Sequence, residues 1–194
     1  VKTKSIFFLV DDNIFTREIT ISELANYDLA SHIPSLRMHE KLEWCYNRFV
    51  RQKLPPFYDD LTQDKTHFSW LYSEGECDWN YPLSLDGHIF DTEEMKIILH
   101  HIEFNSPNSL ELGMQLFNDT FKKRKGVSFK KPVIVNVPCN RIQDEIDNPY
   151  AQTYHQDELL EKWEQGLEID FKKISHLINK SAHQSIKFDF ISRT

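Results

Sequence analysis

The sequence predicts an α/β or α+β fold, built as a mixed sheet with flanking helices. Two apolar runs, residues 5–10 and 132–138, have the Ile, Val, Leu and Phe content that is typical of buried strands. Residues 91–102 and 108–121, which lie between these runs, have apolar side chains at helical spacing. The 194 residues suit one domain with a substantial core.

The composition argues against several classes of protein. A formal charge of -7 is unlike the basic balance of a general nucleic-acid binder. No apolar run approaches the ~20 residues that span a membrane. The three cysteines, Cys45, Cys77 and Cys139, are widely spaced without a CxxC motif, which indicates free thiols in a reducing compartment. We therefore expect a cytoplasmic protein with no nucleic-acid partner and no membrane span.

The first half of the chain contains short elements. Residues 22–29 are predicted to form a helix, with Ser22 as its cap. Residues 35–38 alternate weakly and are predicted to form a strand, and residues 67–72 a second one. Prolines at residues 54–60 indicate a loop, because proline cannot donate to a strand ladder. Residues 75–87 are predicted to form a loop with short strands.

The helical signals are clearest in the second half. The helix at residues 91–102 opens on an Asp cap followed by acids, which suit the positive end of the helix dipole. The next helix is predicted to begin at residue 108 with its own cap and to reach residue 121. A third spans residues 157–165 and ends before a glycine. Its side chains predicted to face inward are Leu159, Leu160 and Trp163.

Two further segments complete the predicted architecture. The basic residues 122–131 are predicted to end a helix and continue as a solvated loop. Residues 186–190 alternate strictly between apolar and polar, which predicts a strand near the end of the sequence. An interior strand is an unusual place to begin a protein, so we expect an amino-terminal portion to precede residue 1.

The first candidate site is the acidic end of the first apolar run. Asp11, Asp12 and Asn13 follow the strand directly, where open α/β sheets bind their ligands. Carboxylate and amide oxygens suit a hard cation such as Mg²⁺ or Mn²⁺ bridging a diphosphate. The alternative is that Asp12 or Asn13 caps a turn while Asp11 is solvated.

The second candidate site is the aromatic-rich segment of residues 78–90. Asp86 followed by Gly87 is a turn signal, which is one interpretation of the pair. In the other, aromatic faces bind a sugar or base ring and Asp86 acts as a general base. His88 on its own is typical of a structural histidine.

Polar residues near the two later strands are further candidates. Asn140 and Arg141 follow the second apolar run and are able to contact a phosphate, or else they cap a turn. His183 precedes the last predicted strand and is a candidate metal ligand, since neutral imidazole binds Mn²⁺. A lone histidine is also common at the surface or in the core.

An ordered series of segments resembles the majastridin-like bacterial proteins, and it covers nearly the whole chain. It begins with the strand ending in residues 11–13, followed by Ser-Leu-Arg at 35–37 and Leu-Pro-Pro-Phe at 54–57. Further segments in the same order are residues 79–90, 105–111, 136–143 and 182–184.

The resemblance implies a GT-A glycosyltransferase fold that binds a nucleotide-diphosphosugar and a divalent metal, Mn²⁺ or Mg²⁺. By analogy, Asp11 and Asn13 occupy the ends of an Asp-x-Asp-type motif, with Asp12 between them. Asn13 departs from the expected second acid. Asp86 is then the candidate base on the acceptor side, His183 lies near the metal or diphosphate, and the chain is the carboxyl-terminal part of the transferase domain.

Three functions follow as hypotheses. The leading one is a metal-dependent transferase that moves a sugar from its nucleotide donor to an unidentified hydroxyl acceptor. The second is a non-catalytic nucleotide- or sugar-binding protein on the same scaffold, which the imperfect acidic motif favours. The third is a metal-dependent phosphoesterase, which predicts a second cation about 4 Å from the first, and the sequence offers no clear ligands for it.

Overall fold

The computed structural model describes residues 3–59, 66–138 and 154–193. These residues form a mixed α/β architecture, which confirms the predicted mixed sheet with flanking helices. The strands are β1 (Ser5–Phe7), β2 (Asn13–Phe15), β3 (His32–Ser35), β4 (Trp44–Cys45), β5 (Val50–Arg51), β6 (Tyr58–Asp59), β7 (His67–Leu71), β8 (Ile89–Asp91), β9 (Lys125–Phe129), β10 (Ile134–Asn136), β11 (Leu167–Ile169) and β12 (Phe190–Ser192). The helices are α1 (Ser22–Ala25), α2 (Thr92–His101), α3 (Pro107–Met114), α4 (Asn118–Phe121), α5 (Gln156–Glu164) and α6 (Phe171–Ile174).

The main sheet has four strands in the order β3-β9-β7-β6. β3 runs parallel to β9, whereas β7 is antiparallel to both β9 and β6. The predicted strand at residues 67–72 is confirmed as β7. The solvated loop predicted for residues 122–131 is wrong, because β9 lies within it and residues 126–129 are buried.

Close packing against Gly126 explains how a strand fits into this basic segment. A Cβ atom at Gly126 would lie 2.1 Å from the ring of Trp70 on β7. Only a residue without a side chain lets the two strands pair with the indole between them. The lysines lie outside the buried stretch of residues 126–129 and are exposed: Lys125 at the start of β9, and Lys123 and Lys131 beyond its ends.

The remaining strands form two-stranded antiparallel ladders, β1 with β8, β2 with β10, β4 with β5 and β11 with β12. The first predicted strand is therefore shorter than residues 5–10 and only half-buried, and Leu9 is 41% exposed. In a ladder of two strands each strand has one unpaired edge, so this apolar run forms an edge strand and not a central one. The second apolar run does contain a buried strand, β10.

The predicted helix at residues 91–102 is confirmed as α2. The Asp91 carboxylate caps it by accepting hydrogen bonds from the backbone N–H groups of Glu93 and Glu94. α3 begins one residue before the predicted start, with Ser106 as its cap, and its helical path is interrupted after Met114 by a 3₁₀ turn. Ser106 replaces Asn108 as the cap because Pro107 suits the first helical position.

Four other predicted elements are only partly confirmed. α5 confirms the third helix, but its Leu160 and Trp163 are each 54% exposed, so the prediction that they face inward is wrong. α1 covers only four residues, and Ser22 lies inside it without capping it. β3 ends at Ser35 and β12 begins at Phe190, so each overlaps its predicted strand by one residue.

The main core lies between the four-stranded sheet and helices α2 to α4. Trp70 on β7 meets the ring of Trp79 edge-on at 5.1 Å, and it donates a hydrogen bond to the Trp79 carbonyl. These contacts fix the 3₁₀ turn Cys77–Asn80 against the sheet. Among the described helices, none has the length and apolar character needed to cross a membrane.

Candidate functional site

Three distant segments lie side by side at one edge of the fold. Asn13, the first residue of β2, is the register partner of Asn136, the last residue of β10. His183 in turn forms a parallel bridge with Asn136. The bridge is held by hydrogen bonds from the Asn136 N–H to the Ala182 carbonyl (3.0 Å) and from the Gln184 N–H to the Asn136 carbonyl (2.9 Å). The backbone therefore presents Asn13, Asn136 and His183 in a row.

Asp86 is the centre of the polar cluster over this row. Its Oδ1 accepts hydrogen bonds from the side-chain amides of Asn13 (3.3 Å) and Asn136 (3.4 Å). Its Oδ2 lies 3.1 Å from a guanidinium nitrogen of Arg37 and 3.2 Å from Nε2 of His183. Both oxygens of this buried carboxylate are thus engaged by four side chains from different parts of the chain.

Gly87 fixes the position of Asp86. It has a φ of +71°, a backbone conformation that residues other than glycine rarely adopt. Its N–H donates to the Phe8 carbonyl and its carbonyl accepts from the Leu36 N–H, each at 2.9 Å. A Cβ atom here would lie 2.5 Å from the Ile134 side chain. The Asp-Gly pair is therefore the turn that the sequence predicted, and this turn places Asp86 in the cluster.

Arg37 is a buried cation that links Asp86 to a second carboxylate. Its guanidinium lies 2.8 Å from Asp78 and 3.0 Å from the Ser84 hydroxyl, and its side chain is 3% exposed. The other oxygen of Asp78 accepts from Gln52 at 3.2 Å. A buried charge needs such pairing, since removing it from water is costly.

The protonation states of Asp86 and His183 depend on each other. Burial alone would raise the pKa of Asp86, but the hydrogen bond and charge of His183 and the charge of Arg37 outweigh it and hold this pKa well below the ordinary value. Burial alone would lower the pKa of His183, yet its hydrogen bond to Asp86 and the charge of Asp86 raise it. The pair therefore favours an ionised carboxylate beside a protonated imidazole.

Asp12 lies beside this pair, and its pKa is shifted in the opposite direction from that of Asp86. Burial, followed by the charges of Asp86 and Asp11, raises its pKa to about 6. Its Oδ1 accepts a hydrogen bond of 2.6 Å from the Asn136 amide. Negative charge is consequently crowded around Asp12, which is the condition that a bound cation relieves.

The structure thus brings together four of the predicted site residues: Asp12, Asn13, Asp86 and His183. Asp11 occupies the same turn but is exposed. Asn140 and Arg141 lie outside the described residues. The Asn13 side chain also accepts from the Val10 N–H at 3.2 Å, so part of the predicted turn-capping role is present as well.

Sequence reasoning missed three members of the cluster: Arg37, Asp78 and Asn136. Arg37 lies between Leu36 and Met38, and a charge inside an apolar segment is a signal of a buried ion pair. Asn136 interrupts an Ile-Val-Asn-Val run in the same way. His88 is structural, as one interpretation predicted. It is buried with Nδ1 2.8 Å from the Pro82 carbonyl, and burial lowers its pKa to about 3.

The donor atoms of the cluster suit a divalent cation in part. His183 has a buried Nδ1 with no hydrogen-bond partner among the described residues, and Asp12 is an acid crowded by other acids. Within the described ranges, no group of three or more His, Cys, Asp or Glu side chains is arranged to hold a metal. Mg²⁺ and Mn²⁺ sites on diphosphates often use only one or two protein ligands, because phosphate and water supply the others.

An apolar pocket of about 490 Å³ adjoins the cluster. Val10 and Leu85 line it, and they directly precede the acidic turn and Asp86. Phe8, Phe104 and Leu110 contribute further apolar surface.

Comparison with known proteins adds no relative. The chain matches no protein-family model, no curated protein and no solved structure. The resemblance to majastridin-like proteins therefore stays a prediction, and function has to be argued from the cluster itself.

Proposed function

We propose that the protein binds a nucleotide-diphosphosugar with a divalent cation at the Asp86 cluster and acts as a GT-A-type glycosyltransferase. The observation that carries the proposal is the meeting of Asp12, Asn13, Asp86 and His183. Asp12 and Asn13 are neighbours, whereas Asp86 and His183 lie more than 70 positions from them and from each other. Hydrogen bonds and an ion pair nevertheless join all four into one network. Four residues predicted as one site from separate motifs are together in space.

The proposed cation ligands are Asp12 and His183. Asp12 would supply a carboxylate oxygen. His183 would supply its unpartnered Nδ1 after the imidazolium loses its Nδ1 proton to solvent, while Nε2 keeps the proton that it donates to Asp86. Asp11 lies in the same turn and is exposed to solvent, where it is able to bind a water of the cation. When bound, the cation supplies positive charge that neutralises the leaving nucleoside diphosphate.

Asp86 is better suited to positioning than to proton transfer. Its oxygens already accept from Asn13, Asn136 and Arg37, and its low pKa makes it a weak base. A general base needs a free lone pair and a pKa near the working pH. In the proposal, Asp86 therefore orients the two amides and holds His183 in one rotamer, while its predicted role as a base stays a prediction.

The same observation favours a second candidate, a non-catalytic binding protein. A site whose central carboxylate is neutralised by Arg37 and His183 is able to recognise a diphosphate without activating an acceptor hydroxyl. Detectable release of nucleoside diphosphate from a nucleotide sugar, even as slow hydrolysis, would rule this candidate out.

Isothermal titration calorimetry tests the proposal. Uridine and guanosine diphosphates are titrated into the protein with Mn²⁺ and with EDTA. The proposal predicts binding that requires Mn²⁺ and that weakens at least tenfold in Asp12→Asn. Asp157→Asn, an exposed acid at the start of α5, is the matched control and should bind as wild type does. Metal-independent binding, or equal affinity in Asp12→Asn, would contradict the proposal.

A further inference from the structure

Two thiols meet beside the cluster without belonging to it. Cys45 ends β4 and is buried, whereas Cys77 begins the 3₁₀ turn Cys77–Asn80 and is partly exposed. The two side chains lie near each other, because both the charge of Cys77 and a hydrogen bond from it act on the pKa of Cys45, although the two residues lie 32 positions apart along the chain. A disulfide requires two cysteines that the fold brings close together in this way.

Hydrogen bonds around the thiols hold the two segments together. The Gln52 side chain donates to the Trp44 carbonyl (3.2 Å) and accepts from the Asp78 N–H (3.1 Å), so it joins the residues that adjoin Cys45 and Cys77. The Trp79 indole donates to the Leu42 carbonyl at 3.0 Å. These hydrogen bonds hold the residues that precede Cys45 next to the residues that follow Cys77.

The backbone at Cys77 is unusual. It has a φ of +51°, in the left-handed region that residues other than glycine rarely adopt. Residues in such conformations persist only where surrounding contacts hold them, and they cluster at functional positions. Here the conformation accompanies the placement of the Cys77 side chain against Cys45.

We propose that Cys45 and Cys77 form a reversible disulfide with each other. The oxidant is a small-molecule disulfide such as glutathione disulfide. The Cys77 thiolate attacks one sulfur of glutathione disulfide, and one glutathione leaves as its thiolate. The Cys45 thiolate then attacks the Cys77 sulfur of the mixed disulfide and releases the second glutathione. Two protein thiols are oxidised by two electrons, and their two protons end on the two glutathiones.

Exposure decides the order of these steps. Cys77 is the thiol that solvent reaches, so it meets the oxidant first. Burial, followed by the charge of Asp78, raises the pKa of Cys45 to about 12. Cys45 is therefore slow to attack a dissolved oxidant and reacts through its nearness to Cys77. The disulfide should form faster as the pH rises.

The crosslink would act on the polar cluster through Asp78. This residue follows Cys77 directly and pairs with Arg37, which contacts Asp86. A bond between β4 and the 3₁₀ turn fixes the position of Asp78. The inference is independent of the proposed sugar transfer and does not use it.

The test uses the Cys139→Ser variant, in which only Cys45 and Cys77 remain. The folded protein is equilibrated in glutathione buffers of graded redox ratio, acid-quenched, digested and mapped by mass spectrometry. We expect one disulfide linking the Cys45 and Cys77 peptides. The effective concentration of one thiol relative to the other should be on the order of 100-fold higher in the folded protein than in concentrated urea, since the fold brings the thiols together.

Two controls complete the experiment. Cys77→Ser in the same background should leave Cys45 unmodified, because the buried thiol alone does not meet the oxidant. A disulfide that forms equally well in urea, or glutathione that stays on Cys77 without a crosslink, would overturn the proposal. If Cys139→Ser does not fold, the same mapping is done on the native chain, where pairing of either cysteine with Cys139 overturns it.

Discussion

Replacing Arg37 by methionine is expected to destabilise the fold by about 4 kcal/mol at pH 7. Methionine has a similar length but no charge, so the change removes the guanidinium and keeps most of the packing. Asp78 and Asp86, whose side chains are 8% and 10% exposed, would then be buried without their cation. Removing one partner of a buried pair typically costs about 3–5 kcal/mol.

The remaining hydrogen bonds keep the cost in the middle of that range. Asp86 retains its contacts with Asn13, Asn136 and His183, and Asp78 retains Gln52. Neither carboxylate is therefore left without any partner in the variant. The loss comes from uncompensated charge and not from missing acceptors.

The pH dependence gives the sign of the effect. In the wild type, the pKa of Asp86 is held well below its ordinary value, so this carboxylate stabilises the fold above that value and loses its contribution as the pH falls. In Arg37→Met, burial without the guanidinium raises the pKa of Asp86, and protonation of Asp86 then removes its uncompensated negative charge. The difference in the free energy of unfolding between variant and wild type should therefore narrow as the pH is lowered from 7 toward 4.5.

Urea unfolding followed by tryptophan fluorescence measures these free energies at both pH values. Lys96→Met is the matched control, because Lys96 pairs with Glu93 at 2.6 Å on the exposed face of α2. Exposed pairs contribute about 0–1 kcal/mol, so the control should unfold nearly as the wild type does. A cost below about 1 kcal/mol for Arg37→Met would refute the view that Arg37 neutralises the cluster.

Three further predictions concern Asp12, Gly126 and His39. In EDTA, Asp12→Asn should stabilise the protein at pH 7 by about 3 kcal/mol, because the folded pKa of about 6 exceeds the ordinary 3.8 and ionisation costs stability as the pH rises through that interval. Urea titrations at pH 7 and 3.5 check this, and equal stability at pH 7 would contradict it. Gly126→Ala should lower the urea midpoint more than Gly166→Ala does, since its Cβ would overlap the Trp70 ring, whereas a Cβ at Gly166 meets no atom and is strained only by the φ of +78°. Burial lowers the pKa of His39 to about 4, so this neutral side chain makes the fold lose stability as the pH falls below 6.5. Thermal unfolding of His39→Gln should accordingly show a smaller loss between pH 7 and 4.5 than the wild type shows.

Local signals in the sequence were sufficient to predict helix α2. Its cap, its acidic first turn and its apolar spacing all act within about ten residues, and no distant partner is needed to recognise them. The same holds for α5, although its apolar side chains proved exposed. A side chain's burial depends on what packs against the helix, which periodicity does not report.

Strand β9 shows why other elements were missed. Its burial depends on β3 on one side and β7 on the other, which lie about 90 and 60 positions away. The neighbouring lysines dominated the local pattern and indicated a loop. Its pairing with β3 and β7 and the packing of Trp70 over Gly126 join residues that are distant in sequence, so no local pattern reports them.

The candidate site was partly predictable for a similar reason. Asp12, Asn13, Asp86 and His183 were recognisable as polar residues that end or adjoin structured segments. Arg37 was not, because buried arginines are rare and its two carboxylate partners lie 41 and 49 positions away. The neutralised state of Asp86 follows from those long-range contacts and from no local pattern.

The most direct test of the proposed cation site is electron paramagnetic resonance of Mn²⁺. Free Mn²⁺ gives a sharp six-line signal that is lost when the ion is bound to a protein complex. The proposed function predicts that protein and uridine or guanosine diphosphate together remove the signal beyond what either removes alone. It further predicts that Asp12→Asn restores the signal, whereas Asp157→Asn does not.

The stoichiometry of that titration decides the central claim. One Mn²⁺ per chain, bound only with the nucleotide and lost in Asp12→Asn and in His183→Gln, is the result expected of a cation held by these two side chains and a diphosphate. A signal that the protein and nucleotide leave unchanged, or a loss that persists in both variants, would contradict the assignment of the cluster as a metal–diphosphate site.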